Sequence, residues 1–231
     1  MPKLSTQEQK QLAAAAAVEF VESRMIVGLG SGSTSEVAIR LLAEKVKSGL
    51  KIVGVPTSVA TEKLARRLKI PLVSDFGVIT KIDLTIDGAD EVDPQLNLIK
   101  GGGGALTREK IVASRSERVI IIVDEKKLVK KLGKFLLPVE ILPFGWRSTL
   151  EILRSFSGRA KLREKTPGKP FTTDNGNYLI DCAFGKIKKP PHLAQQIKNI
   201  TGVVEVGLFI GRADLVLVGR RNGRVEEKWS V

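Results

Sequence analysis

The chain has 231 residues, of which 42% are hydrophobic, and a formal net charge of +13. No apolar run approaches the roughly 20 residues that a membrane-spanning helix needs, and the N-terminus lacks the basic-then-apolar pattern of a secretory signal, so we expect a cytoplasmic protein. A single cysteine, Cys182, and a single histidine, His192, exclude an intrachain disulfide and argue against a zinc site or a Ser-His-Asp triad.

Helix and strand patterns alternate through the N-terminal half of the chain. Ser5 and Glu8 form a capping-box pattern before an alanine-rich helix that we expect to run to about Glu22. The strands predicted next are 25–28, 52–55, 82–86 and 119–123, and the helices among them are 37–46, 58–68 and 106–114. Apolar strands that alternate with helices predict an α/β domain with a parallel, doubly wound sheet.

The pattern changes from about Lys134, because Pro138 and Pro143 interrupt the alternation. Here we predict helices at 146–156 and 193–200, and strands at 160–163, at 203–206 and on either side of the tight turn 174–177. The last predicted strand, 213–218, is apolar enough to return to the first sheet and leaves a charged tail. The predicted domains are therefore 1–133 with 208–231, and an α+β insert of residues 134–207.

A turn rich in glycine and hydroxyl groups, residues 28–34, follows the first predicted strand and precedes a helix. Ligands of open parallel sheets bind beyond the carboxyl ends of the strands. Backbone N–H groups and the hydroxyls of Ser31, Ser33 and Thr34 can hold a phosphate at the positive end of that helix. Neither the dinucleotide fingerprint nor the Walker A pattern is complete, so we expect a phosphate cradle. The alternative is an ordinary hydroxyl cap with glycines for tight packing.

Carboxylates, a lysine and four successive glycines lie close together between residues 87 and 110. Asp87 and Asp90 follow an apolar strand, and the small residues between them would let both carboxylates face one cavity. Lys100 precedes Gly101–Gly104, whose bare N–H groups can surround an anionic oxygen. Glu109 falls near the start of the next helix and can act as a general base. The alternative is a solvated acidic turn, with Glu109 as a first-turn charge and Lys100 as a surface cation.

Taken together, these motifs resemble those of the type A ribose-5-phosphate isomerases. The matching segments are Gly-Ser-Gly-Ser-Thr at 30–34, Asp-Gly-Ala-Asp-Glu at 87–91, the lysine, glycine and glutamate run at 100–110, and the segments 138–140, 173–177 and 202–209. The resemblance spans nearly the whole chain, and it is specific because several motifs occur together in this order. Gly104 stands where many members have alanine, which only loosens the loop.

The resemblance implies an aldose–ketose isomerase without metal or cofactor that interconverts D-ribose 5-phosphate and D-ribulose 5-phosphate in the non-oxidative pentose phosphate pathway. It also implies a Rossmann-like domain with a smaller, ferredoxin-like α+β domain, and a homodimer or homotetramer. The family's base matches Glu109, and its phosphate-contacting lysines match Lys10 and Lys127. Its sugar-contacting residues match Ser31, Gly32, Ser33, Thr34, Asp87, Gly88, Ala89, Asp90, Lys100, Gly101, Gly102 and Gly103.

The chemistry of these residues suggests a mechanism. We expect Glu109 to remove the proton from C2 of the open-chain aldose and return it to C1, through an enediolate. Lys100 and the N–H groups of Gly101–Gly103 would stabilise the developing negative charge. Asp87 would relay a hydroxyl proton or help open the furanose ring, and Asp90 would hold sugar hydroxyls, although these two roles can be exchanged.

Other functions remain open at the level of sequence. The positive charge could attract nucleic acid, but lysine and arginine are scattered, aromatic residues are few, and no DNA- or RNA-binding signature is present, so we expect no specific nucleic-acid partner. A sugar-phosphate sensor would need the phosphate loop but not Glu109 or Lys100. A nucleotide-dependent oxidoreductase would bind NAD(P)H, and an acyl-CoA transferase would require CoA.

Overall fold

The computed structural model describes residues 3–230. The α-helices are α1 (Thr6–Val18), α2 (Ser33–Lys47), α3 (Val59–Arg67), α4 (Leu106–Ser114), α5 (Trp146–Ser157) and α6 (Pro190–Lys198). The strands are β1 (Ile26–Leu29), β2 (Val53–Pro56), β3 (Ile82–Gly88), β4 (Glu91–Val92), β5 (Leu98–Ile99), β6 (Ser116–Asp124), β7 (Leu137–Ile141), β8 (Ala160–Leu162), β9 (Glu164–Thr166), β10 (Lys169–Pro170), β11 (Tyr178–Cys182), β12 (Val203–Val206), β13 (Leu208–Phe209), β14 (Leu215–Gly219) and β15 (Val225–Trp229). Short 3-10 helices lie at Phe76–Val78 and Glu125–Lys127.

The chain divides into two units, and it passes between them several times. The first unit contains the described residues up to Ala89, Arg108–Lys127 and the described residues from Gly211 onwards. The second contains Asp90–Thr107 and Leu128–Ile210. This division differs from the predicted one, because residues 90–107, 128–133 and 208–210 group with the second unit. Pairing of β4 and β13 with β5 accounts for part of this difference, since it builds a small sheet from segments that precede and follow the predicted insert in the chain.

The first unit is built on a six-stranded sheet with the strand order β15-β14-β6-β3-β1-β2. All neighbouring strands are parallel except β14 and β15, which are antiparallel. The chain moves from β1 outwards to β2 and then returns to place β3 on the other side of β1. The expected mostly parallel, doubly wound sheet is confirmed, and its strand order reverses between β1 and β3.

Apolar side chains hold the helices of the first unit to this sheet. One buried cluster joins the alanines of α1 and the leucine and isoleucine side chains of α2 to Val27, Leu84 and Ile120. A smaller cluster joins Val55 and Ile82 to Val112 of α4. The β-branched runs are therefore buried, as the sequence predicts for parallel strands.

Two ends of the first unit differ from the prediction. The capping box of Ser5 and Glu8 is present, but α1 ends at Val18 rather than near Glu22. The charged tail after the last predicted strand forms β15, an antiparallel edge strand with an exposed or half-exposed side chain at every position. Its charged residues suit an edge, where side chains meet water and discourage pairing with another chain.

The second unit contains the expected ferredoxin-like arrangement. Its four-stranded antiparallel sheet has the order β12-β7-β11-β8, with α5 connecting β7 to β8 and α6 connecting β11 to β12. A separate sheet has the order β13-β5-β4, and β9 pairs with β10. One apolar cluster includes both Ile99 of the small sheet and Val139 of the larger one, and it also buries Cys182.

Two local predictions in the second unit have clear outcomes. His192 lies in the first turn of α6, which begins at two prolines. The predicted turn around Asn175 and Gly176 is present, since the Gly176 N–H donates to the Thr173 carbonyl at 2.9 Å and Gly176 has a φ of 79°. β11 follows this turn, whereas only an isolated bridge at Thr172 precedes it.

Within residues 3–230, every helix is too short or too polar to span a bilayer.

Candidate active site

The reversal of strand order places two sequence motifs side by side at the carboxyl edge of the first unit's sheet. Leu29 of β1 pairs with Ile86 of β3, so Gly30 and Asp87 follow at the same level. The Gly30 N–H donates to the Ile86 carbonyl at 3.0 Å. Doubly wound sheets bind ligands at such a reversal point, because the connections leave in opposite directions and open a crevice.

Gly30 is required for this close approach. A Cβ atom at position 30 would lie 2.2 Å from Oδ1 and 2.6 Å from the Cα of Asp87. The second distance involves a backbone atom, so rotation of a side chain cannot relieve the overlap. The glycine therefore brings the turn against Asp87.

Asp87 is held by donors from three different positions. Its Oδ1 accepts hydrogen bonds from the Ser31 N–H at 3.0 Å, the Ser35 hydroxyl at 3.1 Å and its neighbouring Gly88 N–H at 2.7 Å. The residue is 2% exposed. These charge-assisted bonds give the carboxylate a defined orientation, as a residue that acts on protons requires.

Ser31 has structural contacts that the sequence did not predict. Its hydroxyl lies 2.8 Å from both the Thr57 and Ser58 hydroxyls and 3.2 Å from that of Thr61. Thr57 also donates to the Leu29 carbonyl at 2.9 Å. The one sequence feature that could have indicated these contacts is the pair of hydroxyl residues Thr57 and Ser58, which directly follows β2. This hydroxyl cluster braces the turn at the end of β1.

The helix that follows the turn begins in a way that suits an anion. Gly32 is the N-cap of α2 and has a φ of 94°, and no side chain among the described residues caps the helix. The Ser33 hydroxyl accepts a hydrogen bond from Nζ of Lys10, on α1, at 2.8 Å. First-turn N–H groups and a lysine therefore lie at the predicted phosphate cradle.

The first unit also contains Glu109 and Lys127. Glu109 occupies the first turn of α4, whose predicted bounds are confirmed, and it is 5% exposed. Lys127 ends the 3-10 helix after β6 and is half-buried. Burial of Glu109 is unusual for a glutamate that serves only as a favourable first-turn charge.

Lys100 lies in the second unit and is not a surface cation, since it is 4% exposed. Its backbone N–H donates to the Gly207 carbonyl at 2.9 Å. Its ammonium nitrogen lies 5.5 Å from the centroid of the Phe209 ring. This cation–π contact helps to keep a charged group at a defined position in a largely dry environment.

The glycine loop, defined here as Gly101–Gly104, continues from Lys100 in a conformation that few other residues adopt. Gly101 has a φ of 100°, and the Gly104 N–H donates to the Gly101 carbonyl at 3.0 Å. The Gly102 N–H donates to Oδ2 of Asp90 at 2.8 Å. Asp90 thus contacts the loop through a backbone donor.

The predicted site residues fall into two groups. Those in the first unit are Lys10, Ser31, Gly32, Ser33, Thr34, Asp87, Gly88, Ala89, Glu109 and Lys127. Those in the second unit are Asp90, Lys100, Gly101, Gly102 and Gly103. Among residues 3–230, no group of three or more histidine, cysteine, aspartate or glutamate side chains is arranged to hold a metal ion.

Comparison with known proteins connects this arrangement to one family. The model of the family ribose 5-phosphate isomerase A, or phosphoriboisomerase A, matches residues 53–223. A ribose-5-phosphate isomerase A of Thermomicrobium roseum is 50% identical over 222 residues, which cover 95% of this chain and 93% of the relative. The chain belongs to the ribose 5-phosphate isomerase A family.

Other relatives agree in sequence and in fold. A ribose-5-phosphate isomerase A of Chloroflexus aurantiacus is 51% identical over 223 residues, covering 95% of this chain and 93% of the relative. The solved ribose 5-phosphate isomerase A of Methanocaldococcus jannaschii is 41% identical, with a TM-score of 0.90 over 97% of this chain and all of that one. A D-ribose-5-phosphate isomerase solved in complex with phospho-erythronic acid is 43% identical, with a TM-score of 0.93 over 98% of this chain and 100% of that one.

Proposed function

We propose that this chain interconverts D-ribose 5-phosphate and D-ribulose 5-phosphate through an enediolate, as an isomerase of the non-oxidative pentose phosphate pathway. The observation that carries the proposal is the juxtaposition of the Ser31–Thr34 turn with Asp87 at the strand reversal, in a chain of this isomerase family. The phospho-erythronic acid bound by a relative supports a phosphorylated sugar as the substrate. Family membership favours this reaction over a sensor, an oxidoreductase or an acyl-CoA transferase.

The substrate phosphate binds at the N-terminus of α2. Ser33 and Thr34 supply hydroxyls and N–H groups there, and the ammonium group of Lys10 already lies 2.8 Å from the Ser33 hydroxyl. Lys127 is the second phosphate lysine by its match to the family. Binding the phosphate at a fixed point lets interactions remote from the reacting carbons orient them.

Glu109 is the base that moves the proton between C2 and C1. It is 5% exposed in the first turn of a helix, so its position is set by packing rather than by a mobile surface rotamer. One carboxylate can serve both halves of the reaction, because the proton that it removes from one carbon is returned to the neighbouring carbon. No net acid or base is consumed.

Lys100 and the N–H groups of Gly101 and Gly103 stabilise the enediolate oxygen, whereas the Gly102 N–H donates to Asp90. The low exposure of Lys100 and its cation–π contact with Phe209 support a preorganised positive charge. Donors that are fixed before the charge develops do not need to reorganise as it forms, which is the main source of such stabilisation.

The two aspartates handle the sugar hydroxyls. Asp87 opens the furanose ring or relays a hydroxyl proton, and its three hydrogen bonds keep one carboxylate oxygen in place for this. Asp90 holds sugar hydroxyls while it also accepts from the Gly102 N–H. Exchange of these two roles would leave the overall reaction unchanged.

The function is tested by a ribose 5-phosphate isomerase assay in excess chelator, with Glu109→Gln and Glu44→Gln as a matched pair. Glu44 lies on α2, is exposed and should tolerate the change. We expect metal-free turnover by the natural sequence and by Glu44→Gln, and a loss of about 10²–10⁴-fold for Glu109→Gln, as is typical for a general base. Absence of isomerisation by the natural sequence would refute the function, and near-normal turnover of Glu109→Gln would remove it from the role of base.

We also propose that the active protein is a cytoplasmic homodimer or homotetramer, as the family resemblance implies. The single, buried Cys182 is compatible with a reducing compartment. Sedimentation equilibrium measures the assembly directly. A monomer at micromolar concentration would contradict the oligomeric part of the proposal.

A further inference from the structure

Arg163 contacts the glycine loop through two backbone carbonyls. The residue directly follows β8, and its Nη1 donates to the carbonyl oxygens of Gly101 at 3.1 Å and Gly102 at 3.0 Å. These are successive residues of the loop that continues from Lys100. A single side chain therefore sets the orientation of two consecutive peptide groups.

The guanidinium group is itself firmly held. Its Nε donates to Oδ2 of Asp181 at 2.8 Å, and its Nη2 donates to Oδ1 of the same carboxylate. The two side chains are only 16% and 18% exposed. The guanidinium carbon also lies 5.9 Å from the centroid of the Phe171 ring. A bidentate, mostly buried pair of this kind restricts both rotation and translation of the guanidinium.

Peptide planarity transmits this restraint to the N–H groups of the loop. In a trans peptide, the carbonyl of one residue and the N–H of the next point in opposite directions. Fixing the Gly101 carbonyl on Arg163 therefore directs the Gly102 N–H away from it, and this N–H reaches Asp90 at 2.8 Å. By the same geometry, fixing the Gly102 carbonyl directs the Gly103 N–H away from Arg163.

We propose that Arg163 is a positioning residue for isomerisation, which orients the N–H groups of Gly102 and Gly103 through the carbonyls that it binds. In this role it acts through the loop and not directly on the substrate. The Gly102 donor sets the position of Asp90, and the Gly103 donor faces the enediolate oxygen. The inference rests on the proposed function, because it assigns a role to this loop in stabilising the enediolate.

Glycine makes such a restraint necessary. A loop of four glycines samples many backbone conformations, since no Cβ limits φ and ψ. Without an external restraint, its donors would have to be ordered at every turnover, and the ordering would add to the activation barrier. Arg163 removes that cost by holding the loop from the side opposite to its donors.

The decisive comparison is Arg163→Lys with Arg147→Lys. Arg147 is an exposed arginine of α5 in the same unit, and its guanidinium carbon lies 4.8 Å from the centroid of the neighbouring Trp146 ring. Lysine keeps the charge at position 163, but a single ammonium cannot bind the Asp181 carboxylate in bidentate fashion and hold both carbonyls at once. Asp181→Asn is a second variant, because it leaves Arg163 in place but weakens its support.

Each variant is assayed for kcat, for KM and for inhibition by phospho-erythronic acid, after its thermal midpoint confirms that it is folded. We expect Arg163→Lys to lower kcat by about 10- to 100-fold, the range for a displaced oxyanion donor, with KM changed less than about twofold. Inhibition by phospho-erythronic acid should weaken in parallel with kcat. Asp181→Asn should change the same quantities in the same direction by a smaller factor, which keeps the test valid if Arg163→Lys does not fold.

The outcomes separate the inference from the function on which it rests. If the natural sequence and Arg147→Lys isomerise ribose 5-phosphate but Arg163→Lys matches them in kcat, the positioning role is refuted and the function stands. The positioning role is also refuted, and the function stands, if Arg163→Lys raises KM but leaves kcat unchanged. If the natural sequence shows no isomerase activity, the proposed function fails instead.

Discussion

Glu140 offers a test of how the buried polar groups of the second unit stabilise it. This residue of β7 is fully buried. Its Oε2 accepts from the Thr107 hydroxyl at 2.6 Å. Its Oε1 accepts from the Thr173 hydroxyl at 3.0 Å and from the side-chain amides of Asn177 at 2.8 Å and Asn175 at 3.3 Å. One carboxylate thus satisfies four donors from two separate parts of the chain, Thr107 and the turn 173–177.

Two substitutions at this position separate charge from hydrogen bonding. In Glu140→Gln, the amide oxygen can keep the three donors at Oε1, and the amide nitrogen can donate to a rotated Thr107 hydroxyl. Only charge assistance is lost, for which we expect a cost of about 1–2 kcal/mol. In Glu140→Ala, the buried Thr173 hydroxyl and its neighbours lose their acceptor, and we expect about 3–5 kcal/mol.

Thermal unfolding followed by circular dichroism measures the difference. For a chain of this size, these values correspond to a decrease in Tm of about 2–8 °C for glutamine and about 6–20 °C for alanine. Glu151→Gln on the exposed face of α5 is the control and should change stability by less than about 0.5 kcal/mol. Equal losses for glutamine and alanine would refute the reasoning, because they would show that the charge and not the number of satisfied donors matters.

Three further predictions concern the first unit and the buried thiol. Gly30→Ala should lower the free energy of unfolding by about 1–3 kcal/mol, because its Cβ would overlap the Asp87 backbone. Chemical denaturation compares this variant with Gly77→Ala, whose Cβ would approach only the flexible Asp75 carboxylate, at 3.1 Å, and which should be tolerated. Lys10→Met should raise KM by a factor of roughly 5 to 30, about 1–2 kcal/mol of phosphate binding, and should leave kcat unchanged in steady-state assays. Burial raises the pKa of the Cys182 thiol to about 12, so the folded protein should resist alkylation at pH 8, and rapid labelling of the folded protein would contradict this expectation. The stability that the buried neutral thiol contributes should be lost as the pH rises above about 9, where the thiol of the unfolded chain ionises.

Several elements were predictable because their signals are local. Leu106–Ser114 is an α-helix with the predicted bounds, and Val203–Val206 is a strand with the predicted bounds. The capping box at Ser5 and the turn at Gly176 depend on residues within four positions of each other. The residues that form these interactions lie within one short segment, so the sequence is enough to identify them.

Other elements could not be predicted, because their partners are distant in the chain. β4 and β5 have only two residues each, too few for a periodic pattern, and β5 is paired by β13 from more than 100 residues away. β15 carries the charged residues of a tail and becomes a strand only because β14 presents a free edge. The boundaries of the two units differ from the predicted domain boundaries for the same reason, since strands distant in the chain pair with one another.

The sequence by itself identified the candidate phosphate turn, the acidic strand end, the lysine before the glycines and the glutamate of α4, because each is a local combination of residue types with a direct chemical meaning. Only the tertiary structure brought Arg163 to the carbonyls of the glycine loop and Glu140 to its four donors. An arginine or a glutamate in a strand sequence is indistinguishable from a solvated surface residue. Burial and the geometry of distant partners, which depend on the whole fold, give these side chains their roles.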